Sequence, residues 1–120
     1  MNSTDSAENE FLTKLTETIE ANLTNPQFGV SMLAKEMGMS RSNLHRKVNN
    51  TLKISVSQFI NQVRLKKAKE ILRHTSETVS EIAYKVGFSN VSYFIKCFHE
   101  YYGYSPGEVG NRDSDENNSN

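Results

Sequence analysis

The sequence has one cysteine, Cys97, two prolines and no tryptophan. A lone cysteine excludes an internal disulfide and a cluster of thiolate metal ligands. No stretch of about eighteen apolar residues, the length a membrane helix needs, occurs, and no signal-peptide pattern opens the chain. Without secretion, the glycosylation-type triplets at Asn22 and Asn49 carry no meaning, and the chain reads as cytoplasmic with no membrane contact. Catalytic signals are also missing: there is no metal-ligand set, no phosphate loop and no activated nucleophile. Cys97 and His99 lie two apart on one helix and point apart, so they do not form a nucleophile–base pair. The expectation is a non-enzyme with no cofactor and no metal.

At 120 residues the chain suffices for one all-α domain with a modest core. Its hydrophobic content of 36% implies that part of it does not pack. Residues 1–9 and 111–120 are rich in Asn, Ser, Asp and Glu and lack apolar periodicity, so they are expected to be disordered around a domain spanning 10–110.

Formal net charge is zero, yet the charge is sorted along the chain. Met1–Gln27 carries one Lys against five acids, and Ser105–Asn120 one Arg against four, whereas Phe28–Tyr104 carries twelve Lys/Arg and five Glu. A basic centre between acidic flanks suits an anionic partner. Charge alone leaves a solvated basic helix face equally open.

Helical periodicity runs throughout. Phe11, Leu15, Ile19 and Leu23 form one stripe that Asn25-Pro26 stops. Ser31 can cap a short helix to Met37, and after Gly38, Ser40 can cap another from Arg41 to Asn50. A connecting helix covers 55–74, with apolar Val56, Phe59, Ile60, Val63, Ala68, Ile71 and Leu72. Thr78-Val79-Ser80-Glu81 is a capping box opening a helix that ends at Gly87. Asn90–Tyr102 forms the next, stopped by Gly103, and Ser105-Pro106 can start a short last turn.

The sequence repeats itself. Val30–Ser40 aligns with Val79–Ser89 at an offset of 49, with Val, Ser, Ala, Gly and Ser recurring. After one extra residue the offset becomes 50, pairing Leu44 with Phe94, Arg46 with Lys96 and Val48 with Phe98. Each copy, in 30–50 and in 78–103, reads as short helix, glycine, apolar plug, polar cap and second helix, which is the helix-turn-helix arrangement. Ala34 and Ala83 sit where two helices approach closely. Gly38 and Gly87 permit the positive φ of the turn, and Met39 and Phe88 plug the gap behind it.

The free faces of the second helices are the candidate DNA readers. Ser42, His45 and Arg46 are base-reading candidates in the first copy, and Val91, Ser92, Ile95 and Lys96 in the second. Arg46 can pair with guanine O6 and N7, and Val91 and Ile95 can touch a thymine methyl. Ser31, Arg41, Asn43, Lys47, Ser80 and Asn90 are backbone or flanking candidates. The connecting helix spans roughly 27 Å, against ~34 Å between major-groove segments on one face of a duplex, so both helices can read neighbouring segments, with some bending of the DNA. On that helix Arg64 is expected to be partly buried and structural, and Lys66 or Lys67 solvated or near phosphate.

Plainer readings stand beside these. Cys97 reads as a buried or half-buried small residue, His45 also as a solvated helix histidine, and His74 as a helix C-terminal charge. At least one of Tyr101, Tyr102 and Tyr104 belongs to the core. The Phe11–Leu23 stripe packs against the first subdomain or forms a dimer seam. The rival function is a helical protein-interaction module without DNA binding.

Within this frame VSEIAYKVGFSNVSYFIKCFHEYYGYSP, SMLAKEMGMSRSNLHRKV and FINQVRLKKAKEIL resemble the AraC-type family of bacterial transcription regulators, over roughly Phe11–Val109. The resemblance implies a seven-helix fold with two helix-turn-helix subdomains, double-stranded DNA as partner, and a sensor or receiver domain in the same full-length chain. It places the base-facing roles on the same seven residues. RNA polymerase stands as a candidate partner. The opening EFLTKLTETIEANLTNPQFGV is most similar to output domains of hybrid two-component sensor-regulators. Three positions depart from the family pattern. Leu52 stands where a glycine usually ends a helix, predicting a strained or reshaped turn. His99-Glu100 replaces a basic pair, which puts a phosphate contact there in question. Val109-Gly110 replaces an aromatic-Arg pair, predicting a frayed end over Pro106–Asn111.

Overall fold

The computed structural model describes residues 3–109. Among them are six α-helices and no strand: α1 (Ser3–Ala21), α2 (Val30–Glu36), α3 (Arg41–Leu52), α4 (Val56–His74), α5 (Val79–Lys85) and α6 (Val91–Tyr102), followed by a 3-10 turn at Pro106–Glu108. The all-α class follows the expectation, the 3-10 turn standing as the seventh element. The chain divides into two compact units, one of 3–23 with 27–63, the other of 24–26 with 64–109.

In the first unit the apolar stripe of α1 is buried along its length, from Phe11 through Leu15 and Ile19 to Leu23. α1 packs on α2 and α2 on α3. Phe28, Leu33, Ala34, Leu44, Val48, Val56, Ile60 and Val63 complete this core. The stripe is therefore spent within the chain, as packing against the first subdomain requires. Helix α1 begins at Ser3 rather than near Glu10. Residues 6–10 are helical yet exposed. Apolar periodicity registers burial, so it misses a helix end held by local forces. The expected disorder over 1–9 thus gives way to helix from Ser3, and residues 110–120 lie outside the described residues.

The cap of α2 is Gly29, not Ser31, whose hydroxyl accepts a bond from Arg41 instead. Helix α3 runs to Leu52, two residues beyond the expected end, and its left-handed cap is Lys53, with φ 63° and ψ 25°. The reshaped turn expected at Leu52 is therefore one residue further on, where the missing glycine leaves a side chain in a region that costs about 1–2 kcal/mol.

The second unit has an aromatic core. Phe88 and Phe94 lie 5.1 Å apart by ring centroids, Phe94 and Phe98 5.9 Å, and Phe98 and Tyr102 4.7 Å. Leu65, Ala68, Ile82, Ala83 and Val86 fill around them. Lys69 lays its ammonium 4.7 Å over the Tyr102 ring. Burial first, then the neighbouring Tyr101 and Tyr104 phenols, push the Tyr102 hydroxyl up to about 12. Arg64 is 3% exposed and donates to two backbone carbonyls, Val86 O at 2.6 Å and Asn25 O at 3.2 Å. It is structural, as its place in the apolar pattern predicts, and desolvation lowers its pKa. The C-terminal turn does not fray before Val109, which is 1% exposed. Ser105 N donates to Glu108 Oε2 at 3.0 Å, closing the turn, so an aliphatic side chain suffices there to dock it.

Candidate nucleic-acid interface

The two repeats adopt the same turn. Met39 N donates to Ala34 O, and Phe88 N to Ala83 O, both at 2.9 Å. Gly38 and Gly87 take φ of 68° and 93°, a conformation that a side chain resists. Ala34 and Ala83 are buried at the close approach. Ser40 caps α3 by accepting from Asn43 N at 3.1 Å, and Asn90 caps α6 by accepting from Tyr93 N at 2.9 Å. The extra residue of the second copy falls at Ser89, in the loop before that cap. Thr78 accepts from Glu81 N at the start of α5, the half of the capping box that holds the helix end.

Past each turn the second helix buries one face and frees the other. On α3, Leu44 and Val48 are buried, while Ser42, His45 and Arg46 are exposed at spacings that put them on one face. On α6, Phe94 and Phe98 are buried, and Ser92, Ile95 and Lys96 are exposed. Val91 is half-buried at the helix start. Six of the seven base-reading candidates are thus exposed, three on each helix.

The flanking candidates divide by what they touch. Arg41 Nη1 donates to Ser31 Oγ at 3.3 Å, tying the starts of α3 and α2. Asn43 Oδ1 accepts from Arg46 Nη2 at 2.9 Å, so Asn43 orients the guanidinium one turn on. Lys47 sets its ammonium 4.3 Å over the Phe11 ring, toward α1. Asn90 uses its carbonyl oxygen as the α6 cap, and Ser80 is exposed on α5. Cys97 is half-buried, and His74 and His99 are exposed. Among the described residues no group of His, Cys, Asp and Glu could hold a metal, and no helix is long and apolar enough to cross a membrane.

Sequence reasoning passed over two exposed tyrosines, Tyr84 at 56% and Tyr93 at 49%. They stand where the first copy has Lys35 and Asn43. The repeat alignment contained the signal: an aromatic at a position that is polar and exposed in the other copy is an aromatic facing water. The ring of Tyr93 lies 6.1 Å from that of Phe88.

Comparison with known proteins places this geometry. A helix-turn-helix domain family matches residues 33–112. Histidine kinase P4 of Formosa agariphila is 33% identical over 111 residues, covering 92% of this chain but 8% of that protein. The transcriptional activator RhaS of Shigella boydii is 32% identical over 77 residues, 64% of this chain and 28% of RhaS. The chain thus spans a small part of the curated relatives it matches. The C-terminal domain of the two-component response regulator yesN from Fusobacterium nucleatum superposes with a TM-score of 0.74 at 31% identity, covering 84% of this chain and 98% of that one. With two such turns, each followed by a helix with one exposed face, the chain belongs to the AraC-type helix-turn-helix family, the DNA-binding domains of bacterial transcription regulators.

Proposed function

We propose that α3 and α6 read neighbouring major-groove segments of one double-stranded DNA site, and that the chain is the output module of a larger two-component regulator. The observation that carries this is the same turn formed twice, each followed by a helix with one buried and one exposed face. Arg46 is the guanine reader, held by Asn43, with Ser42 and His45 beside it. Ile95 and the edge of Val91 meet thymine methyls, and Lys96 meets a base edge or phosphate. The 19 residues of α4 span roughly 28 Å, a length compatible with two readers one helical turn apart on gently bent DNA. The two-component role is supported by the kinase relative, of which this chain matches a small part, and by the response-regulator domain of the same fold. Such a module works in the cytoplasm, where the chromosome is.

Selection of bound duplexes from a random library tests the reading. Two short boxes about one helical turn apart are expected. A single box, or no retention of any duplex at low salt, overturns it, and the latter result favours the protein-interaction module.

A further inference from the structure

Beside the reading face of α3 lies an open cleft of about 410 Å³, wholly within the first unit. Its polar lining is Gln27, Ser31, Arg41, His45 and Ser57, and Gly29, Val30 and Met32 complete it. No carboxylate lines it, although the chain has fourteen. The first turns of α2, α3 and α4, which supply Ser31, Arg41 and Ser57, carry no acidic residue. Arg41 is its one fixed cation, and the guanidinium is held across the cleft by Ser31 Oγ at 3.3 Å. Four of the five polar side chains reach it with hydroxyl, amide or guanidinium donors, and a site of donors around a fixed cation selects an anion. The fifth, His45, belongs to both the cleft and the base-reading face. An anion seated here therefore lies at the edge of the groove that α3 would occupy.

We propose that this cleft seats one phosphate of the DNA backbone beside the first recognition helix, with Arg41 as its charge partner and Ser57 and Gln27 as hydrogen-bond donors. This rests on the reading that α3 binds DNA. It adds two residues from outside the helix-turn-helix copy, one before it in the chain and one after. Their contact carries no base information; it fixes the depth and register at which His45 and Arg46 meet the bases.

The test is a cycle between Ser57→Asp and duplexes carrying one neutral methylphosphonate at successive backbone positions. The duplex is the one selected from the random library. An acid at the second residue of α4 supports the helix, so thermal stability should hold or rise while DNA binding falls. Binding should weaken about fivefold or more from charge repulsion, equally for preferred and altered sequences. That loss should vanish when one particular phosphate, flanking the box read by α3, is neutral. Ser57→Ala with Gln27→Ala should show the same coupling more weakly. Unchanged affinity in Ser57→Asp, or a loss equal at every methylphosphonate position, overturns the proposal. Saturable binding of inorganic phosphate without any methylphosphonate coupling would also overturn it, in favour of a free anion. Loss of base preference in the unaltered chain would count against the groove reading instead, and a phosphate coupling in the same data would still stand.

Discussion

The two units share a backbone plan and differ in chemistry at matched positions. Leu44 and Val48 in the first correspond to Phe94 and Phe98 in the second, all four buried. On the exposed faces of α3 and α6, His45 corresponds to Ile95 and Arg46 to Lys96. At the helix ends, Lys53 corresponds to Gly103, both left-handed, with φ of 63° and 84°. The fold thus constrains which positions are buried and which turn, and leaves composition free at each. The first unit puts hydrogen-bonding groups on its surface and tolerates strain. The second puts aromatic area in its core and offers a less directional face.

The sharpest way to break this comparison is in the cores. Phe94→Ala should cost about 3–5 kcal/mol and Leu44→Ala about 2–5 kcal/mol by denaturant unfolding, with the aromatic deletion the larger. A larger loss at Leu44 would show that the ring stack adds nothing beyond its volume.

The reading faces come next. Arg46→Ala should weaken the preferred site by about 1–3 kcal/mol and relax preference at one base. Lys96→Ala should weaken all sequences alike and lower the slope of log affinity against log salt by about 1. Anisotropy titrations across salt and site variants separate the two. Relaxed preference in the lysine variant, with none in the arginine variant, would reverse the assignment of the selective unit.

The smallest effect is at the caps. Lys53→Gly should raise stability by up to about 1 kcal/mol, and Gly103→Ala should lower it by about as much, since a side chain resists the left-handed conformation. Opposite thermal shifts are expected, and shifts of one sign would mean that the caps are not equivalent.

Much of this was legible in the sequence because it rests on period and repetition. The stripe Phe11–Leu23, the paired alanines, the turn glycines and the freed triad Ser42, His45 and Arg46 all follow from helical spacing and self-alignment. Features set by a specific contact were not legible. The hydroxyl of Ser31 looks like a cap until Arg41 is seen to engage it. Asn43 looks like a flanking contact until it is seen to hold Arg46. Lys53 is a residue type with no preference for the left-handed conformation it adopts as the α3 cap. The start of α1 at Ser3 is invisible to apolar periodicity because residues 6–10 are exposed and carry no apolar stripe.

Arg64 has a consequence for anyone wishing to separate the duplicated halves. It grips Asn25, so Thr24–Pro26 belongs with residues that come forty positions later. A polypeptide cut after Val63 would keep that tripeptide and lose its anchor. Repetition written in a sequence is therefore no warrant of severability: the unit that holds the second repeat includes three residues that precede the first.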